Sequence, residues 1–506
     1  MKKLILLFLF LSVNAFSQAG SFDTTFDMDG KNTYCFPANE YHPAIDAGFQ
    51  SNGKIVYLGV NVLSCAVDLV RFNSNGSLDT TFGSNGVILN SICNAFPNFG
   101  YDASQMVIQS DDKILIMGLQ QNTTYPNGYW IARLTPDGTL DATFNGTGYK
   151  DLSFGTIQDK GLSIALQTDG KILVGGTSGN TAEFFTVARL TTSGALDTTF
   201  GVGGKTQVSF SGTESMANSI LVQPDGKIVL GGYTVNAPYA KDFALVRLSS
   251  SGILDTSFGV NGKVITTVDS NYSDAVTQLA LQSDGKIIAG GFTSFETNTR
   301  MAVVRYLSNG SIDTTFGING INVITDGFGG QNCSVAVQAD NKIIVAGGWQ
   351  GGYFEVFRFL NSGALDTAFG NNGLVNAFPV NGGYASKVLI QPDNKIVVCG
   401  SSRSSDFTAS CASVIRLNPG ALANDSFSNS MVSLFPNPTT GVVSFDNSIN
   451  SFENVIIYNY LGQEVGKQKL NSISDSQINL SDFSKGVYLL KFMGENNNAV
   501  AKVVKE

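Results

Sequence analysis

The chain has 506 residues, a formal net charge of −9 and only 14 % charged residues, against roughly 25 % in an average soluble protein. The length exceeds one ordinary globular core. The acidic balance, with no basic run beyond Lys2-Lys3, excludes general nucleic-acid binding, which needs clustered Lys and Arg. Abundant Gly, Ser, Thr and Asn instead suit an all-β protein with many tight turns.

Lys2-Lys3, the apolar run Leu4 to Val13 and the small residues Ala15 and Ser17 predict a signal peptide over residues 1–17, cut between Ser17 and Gln18. The run is too short for a permanent membrane-spanning helix, and no later segment reads as one. No Cys follows it to carry a lipid. The mature chain is expected to pass through the periplasm to the outer surface or the medium, where disulfides persist.

From 18 to 420 three phrases recur seven times. The Asp of Asp-Thr/Ala-Thr/Ser/Ala-Phe falls at 23, 79, 141, 197, 255, 313 and 366. The Gln of Gln-x-x-x-Lys-Ile falls at 50, 109, 167, 223, 282, 338 and 391. An Arg inside an apolar strand recurs as Arg71, Arg133, Arg189, Arg247, Arg305, Arg358 and Arg416. Periods of 53 to 62 residues decide the architecture before any local signal does. In the unit around 274–326, Thr277 to Leu281 predicts strand a, and Asp284-Gly285 a hairpin turn. Lys286 to Phe292 predicts strand b and Met301 to Leu307 strand c. Asn309-Gly310 is a second turn, and Ile312 to Phe316 with Ile321 to Thr325 predicts strand d. Four antiparallel strands repeated seven times describe a seven-bladed β-propeller. A parallel β-helix, whose coils are shorter, is the runner-up.

The two ends complement each other. Phe22 to Phe26 reads as a strand d without a strand c, and Arg416 to Gly420 as the end of a strand c without a strand d. The N-terminal segment is expected to pair onto the last blade, since an open stack would leave both edges bare. The cysteines fit this closure. Cys35 with Cys411, and Cys65 with Cys93, hold near-equivalent places on adjacent strands c and d, and both are expected as disulfides. Cys333 and Cys399 are expected as free thiols.

Sevenfold repetition argues for scaffold, because an active site is needed once. In most units the repeated Arg can reach the Asp eight residues later across the c–d hairpin, as Arg305 with Asp313 and Arg189 with Asp197. The a–b and c–d turns are nearly constant and share one face, whereas the b–c loops and d–a crossings vary and share the other. Variable loops on a rigid frame are the usual place of recognition. Candidates are Tyr125, Tyr129 and Trp130 in the longest b–c loop, then Tyr239, Phe295, Trp349 and Tyr353. The crossings add Tyr41, His42, Tyr101, Asp102, Asp159, Glu214, Tyr272, Asp274 and Tyr384. Aromatic side chains with scattered acids and amides suit sugars or peptides. The expected role is therefore binding or adhesion toward a glycan or protein ligand, by a monomer without cofactor or metal. The alternative is a carbohydrate-active enzyme in which Asp102, Asp159, Glu214 and Asp274 converge; a purely structural surface component is a third reading. His42, the single histidine, would have to serve any Ser-His-Asp triad, and histidine-rich zinc sites are excluded by count. Asp27 to Asn32 looks like the start of a calcium loop, but no Glu closes it.

The repeated phrases resemble the delta-60 repeat family over roughly residues 20–420, most closely in Leu254–Gly259 and Gln282–Ile287. That resemblance implies a propeller-like repeat and no chemistry. After Gly420 a Ser/Asn-rich stretch, 421–433, reads as a linker, and 434–506 as a small β-sandwich. This module resembles the type A sorting domain of the type IX secretion system. The matching phrases are Phe435-Pro436-Asn437-Pro438-Thr439 with Gly441, Ile457 to Val465 around Gly462, Lys485-Gly486-Val487-Tyr488-Leu489-Leu490-Lys491, and Lys502-Val503-Val504-Lys505. The resemblance implies the type IX secretion machinery as a partner and export across an outer membrane.

Overall fold

The computed structural model describes residues 18–62, 66–89, 102–120, 128–156, 159–212, 214–237, 240–270, 272–295, 298–325, 333–348, 352–420, 432, 434–445, 452–459, 464–470, 476–494 and 498–506. Two compact units divide the chain, 1–421 and 422–506. The first contains seven four-stranded antiparallel sheets, a seven-bladed β-propeller. Blade one is typical: strand a Ala44–Phe49, b Ile55–Asn61, c Ala66–Phe72 and d Val87–Ile88. Val, Ile, Leu and Phe of strands b and c are buried on both sides, because each blade is packed between two others.

The three repeated phrases turn out to be one device. In every blade the Arg of strand c donates from Nε to the repeated Asp, at 2.6–2.9 Å. Its guanidinium lies over the Phe of the same phrase, 4.3–4.8 Å from the ring centroid. Its Nη1 then reaches a carbonyl in the c–d turn of the next blade, as in Arg71 to Pro136 and Arg189 to Ser250, both 2.7 Å. The Gln of the a–b turn joins this junction, with Gln50 Nε2 donating to the Pro136 carbonyl at 3.0 Å. Each Phe packs under the turn glycine of the following blade. Gly310, at φ +87°, is one such position, where a Cβ would come within 2.8 Å of the Phe258 ring.

One expectation needs correction. The Asp-Thr-Thr-Phe phrase does not extend strand d; it forms a turn. In blade five the Asp313 Oδ1 accepts both the Thr315 N–H, at 3.1 Å, and its hydroxyl, at 2.6 Å, and strand d is confined to Ile321–Val323.

The ring closes at blade seven, formed by Asn381–Ile390, Ile396–Arg403, Ser410–Leu417 and the N-terminal strand Lys31–Cys35. The register runs from Lys31 opposite Ile415 to Cys35 opposite Cys411, and those two cysteines form a disulfide across 376 residues. The closing strand thus lies later than the sequence reading placed it. Phe22 to Phe26 supplies the turn phrase, with a single bridge from Phe22 to Leu417. Arg416 finds its Asp, Asp23, across the two ends, at 2.7 Å. The c–d turn that is continuous elsewhere is here made of two pieces. Gly20 N–H bonds the Asn418 carbonyl as Gly76 bonds Asn73, and Asn418 N–H bonds Ser21 as Asn73 bonds Ser77. Cys333 and Cys399 are free and buried; Cys65 and Cys93 lie outside the described residues.

A second ring lines the central channel. Among the described residues, strand a carries a bulge in six blades. The polar side chain at or after it accepts a backbone N–H from the next blade: Asp46 from Met106, Gln105 from Ile164, Ser163 from Ile220, Ser219 from Leu279. At the seam this position is Lys387, which cannot accept and instead pairs with Asp46 at 2.9 Å.

In the second unit, a four-stranded sheet ordered Glu464–Lys469, Phe452–Asn459, Gly486–Gly494, Asn498–Lys505 faces the pair Val442–Ser444 and Gln477–Asn479. Val443, Phe445, Val455, Ile478, Leu490, Phe492 and Val503 fill the space between. Asn437 knits the Pro-Asn-Pro phrase to the last strand: its Nδ2 donates to the Lys502 carbonyl at 2.7 Å, and its Oδ1 accepts the Val504 N–H at 2.9 Å. Gly441 is buried where a Cβ would meet Ser481 Oγ at 2.8 Å. Tyr488, next but one to Gly486, is buried and bonds the Ser484 carbonyl. Pro436 and Pro438 flank Asn437, and Gly462 lies outside the described residues.

Candidate functional site

The strand bounds separate the two faces sharply. Every a–b connection has five residues, as between Phe49 and Ile55, and all six continuous c–d connections have fourteen, as between Phe72 and Val87. On the opposite face the b–c loops run from two residues, between Ala237 and Ala240, to seven, between Gln120 and Gly128. The d–a crossings there run from three, between Ala377 and Asn381, to thirteen, between Ile88 and Asp102.

Several predicted residues do not sit on that variable face. Tyr129 and Trp130 belong to strand c of blade two, Gly128–Leu134, and are core side chains at 0 % and 1 % exposure. Tyr129 donates to the Thr177 carbonyl in blade three, and Trp130 Nε1 to the Leu119 carbonyl. The expected loop is longer than the observed one because an aromatic pair before Ile131 fits a loop rim as well as a strand. Tyr101, Tyr125, Tyr239 and Trp349 lie outside the described residues. Tyr272 is half-buried in its crossing, and Tyr353, also half-buried, packs against Phe378 with ring centroids 4.0 Å apart and planes tilted by 53°.

Two of the four carboxylates are structural caps rather than convergent acids. Asp159, 1 % exposed, accepts from the Phe154 N–H and the Ser153 and Thr156 hydroxyls. Asp274, fully buried, accepts the Val268 and Asp269 N–H groups, and burial pushes it up to about 6. Glu214 is partly exposed, bonded to Tyr233 at 2.5 Å and Lys241 at 3.0 Å. Asp102 opens strand a of blade two.

The structure does gather Tyr41, His42 and Tyr384. They meet at the seam, where the crossing after Cys35 is sewn to blade seven. The backbone N–H groups of Phe36 and Asn39 bond the Ser410 and Thr408 carbonyls, and those of His42 and Ala44 bond the Ser410 and Ser401 hydroxyls. Above this seam opens a cleft of about 330 Å³, walled by Asn39, Glu40, Tyr41, Tyr384, Ser401, Ser402, Arg403 and Phe407 through Ser410. Neither Glu40, Arg403 nor Phe407 was singled out from the sequence as a site residue; no motif marks them.

His42 is the hub beneath the cleft. Its Nδ1 meets Asp68 Oδ2 at 2.5 Å, its Nε2 meets Glu40 Oε2 at 2.9 Å, and the ring stacks on Phe36 at 4.1 Å and 6°. Burial alone would lower its pKa, but the bond to Asp68, that charge and the bond to Glu40 outweigh burial and raise it. With a carboxylate on each nitrogen both ring positions are already engaged, so among the described residues His42 has no free nitrogen to offer a serine. Glu40, whose side chain is 40 % exposed, is thereby held at the cleft wall, with Asn61 Nδ2 donating to the same oxygen at 3.0 Å. Burial first, then Tyr41, raises the Tyr384 phenol.

Fold and export tail together define an exported, seven-bladed propeller. Residues 50–82, 109–144, 167–200, 223–258, 282–316, 338–369 and 391–420 match the family described as "Domain of unknown function (DUF5122) beta-propeller". Residues 433–506 match "Secretion system C-terminal sorting domain". The chain is thus a seven-repeat DUF5122 propeller protein, the family also worded delta-60 repeat, with a type IX sorting tail. The tail marks it for export to the cell surface or the medium. No curated protein matches significantly. Among solved structures, an ulvan lyase of polysaccharide lyase family PL25 bound to -[GlcA(1-4)Rha3S]- is 10 % identical over 77 % of this chain and 96 % of its own, at TM-score 0.47. A protein of unknown function from Dyadobacter fermentans DSM 18053 is 11 % identical over 77 % and 100 %, at 0.40. A gluconolactonase from Xanthomonas campestris is 11 % identical over 63 % and 97 %, at 0.31. None of the three bears on the chemistry of this chain. Among the described residues no helix is long and apolar enough to cross a membrane.

Proposed function

We propose that the protein works at or beyond the cell surface as a binding or adhesion protein, presenting the variable face to a glycan or protein ligand. The observation that carries this reading is the contrast between connections. Fixed lengths of five and fourteen residues lie on one face, and lengths of two to seven and three to thirteen on the other. A scaffold that tolerates change on one face alone has that face for recognition. Removal of residues 1–17 as a signal peptide and passage through the type IX machinery fit the same reading. The test is to purify the exported protein, probe it against glycan arrays and surface proteins, and assay the bound glycans for cleavage. Specific capture without product release is expected. Turnover of a captured glycan would favour the carbohydrate-active alternative, and no capture of either class would sink the reading.

A further inference from the structure

Among the cavities, the central channel is lined by the bulged residues of strand a, and its charges pair with each other. The grooves around Val202 and Val260 lie among c–d connections of the constant face, where nothing indicates an occupant. The seam cleft differs. Phe407, at its mouth, has 61 % of its surface exposed and a backbone φ of +61°. A bulky residue in the left-handed region is strained, and strain persists only where its surroundings enforce it. Here they do. Asp406 Oδ1 accepts the Ser404 hydroxyl, the Thr408 N–H and the Thr408 hydroxyl at 2.6–3.1 Å, and Phe407 N–H bonds the Ser404 carbonyl. With 61 % of its surface in water, the ring contributes little to folding by burial.

Arg403, at the rim, is exposed and makes no ion pair or side-chain hydrogen bond with a described residue. The other charged side chains at the cleft are mutually engaged, Glu40 and Asp68 with the His42 ring. The cleft therefore combines one uncommitted guanidinium, aromatic surfaces from Phe407, Tyr41 and Tyr384, and an oriented acceptor in Glu40. At about 330 Å³ it is at the small end of ligand sites, enough for one or two sugar rings.

We propose that the seam cleft is a binding site for an acidic saccharide, a uronate unit whose carboxylate pairs with Arg403 while its ring packs on Phe407 and its hydroxyls donate to Glu40. This rests on the reading of the variable face as a recognition surface. Guanidinium–carboxylate pairing supplies the selectivity for charge, and the ring faces supply stacking area. Because Asn39, Glu40 and Tyr41 come from one end of the propeller and Tyr384 to Ser410 from the other, the site exists only in the closed ring.

The test uses the exported full chain with galacturonate and glucuronate oligomers of two to four sugars, beside their methyl esters and a general glycan array. Binding to the free acids is expected, falling about tenfold or more for the esters and for Arg403→Gln. Phe407→Gly should weaken binding as much while leaving stability equal or higher, since it relaxes the left-handed residue; a purely structural phenylalanine would not separate the two. Esters bound as tightly as acids would overturn the recognition of charge. Acids bound equally by the parent, Arg403→Gln and Phe407→Gly would place the site elsewhere, with the surface-binding reading intact. Array glycans bound but no uronate would likewise reject this site's ligand while sparing that reading. No glycan or surface protein bound would remove both.

Discussion

The Cys35–Cys411 clasp should derive its stabilising effect from the length of chain it encloses, and the split turn allows that to be isolated. In the chain-entropy account a cross-link over 376 residues stabilises by about 6 kcal/mol at 25 °C. A circular permutant can heal the turn by joining Pro419 to Ala19, since Pro419, Ala19 and Gly20 take the places of Ser74, Asn75 and Gly76. Gly420 already lies so near that a Cβ on it would come 2.5 Å from the Ala19 Cβ. Reopening blade four's equivalent turn between Ser250 and Ser251, with the tail following Ser250, preserves every strand. The same disulfide then closes a loop of roughly 26 residues, for which the account gives about 3.5 kcal/mol. Local contacts at the disulfide are identical in both forms, so they cancel. Urea unfolding of each form with Cys35 and Cys411 intact or both changed to Ser should show the clasp contributing about 2 kcal/mol less in the permutant. Equal losses in the two frameworks would refute the entropic origin.

Three further outcomes follow from the charge geometry. Arg305→Leu strands a buried Asp313 that is 5 % exposed, and should cost about 3–5 kcal/mol. Adding Asp313→Asn should recover part of that loss in a double-mutant cycle followed by urea midpoint. Toward acid, Asp23, Asp141 and Asp255 are held at about 2, and Asp79, Asp197 and Asp313 are lowered too, by Thr or Ser hydroxyls, Lys and Arg outweighing burial. Their stabilisation is complete above the unfolded value near 4 and is lost as pH falls through the folded values toward about 2; unfolding free energy should drop steeply in that window. Toward alkali the sign reverses for His42, whose raised pKa gives stabilisation complete below about 6.5 and lost as pH climbs through the folded value. Midpoints read from pH 6 to 9 should decline, and His42→Gln should flatten the decline.

Repetition made the fold legible. Three phrases at a shared period demanded equal units, and the complementary ends at Phe22 and Arg416 demanded a closed ring. The Arg–Asp pairing was readable because the eight-residue spacing spans a hairpin; it is met in all seven blades, the seventh across the termini. Thr and Phe favour strands, so the Asp-Thr-Thr-Phe phrase was read as one, and only the Asp313 side chain capturing Thr315 shows why it turns. The channel ring escaped notice because Asp46, Gln105, Ser163 and Ser219 share an acceptor atom and a position but no residue type. The seam cleft escaped because its walls are more than 300 residues apart in sequence, as in the bond from Ala44 to Ser401 at |i−j| of 357. Tyr41, His42 and Tyr384 stand out singly in the sequence, with no motif to unite them.

The inter-blade staple keeps what holds the ring apart from what can be edited. Its anchor residues sit in the a–b and c–d turns and at the end of strand c that adjoins them, so an insertion between strands b and c disturbs none of them. Doubling such a loop costs only about 0.6 kcal/mol in closure entropy. A lineage carrying this framework can therefore try new loop sequences one blade at a time, each edit being nearly neutral for folding and immediately exposed to selection for whatever the cell meets outside.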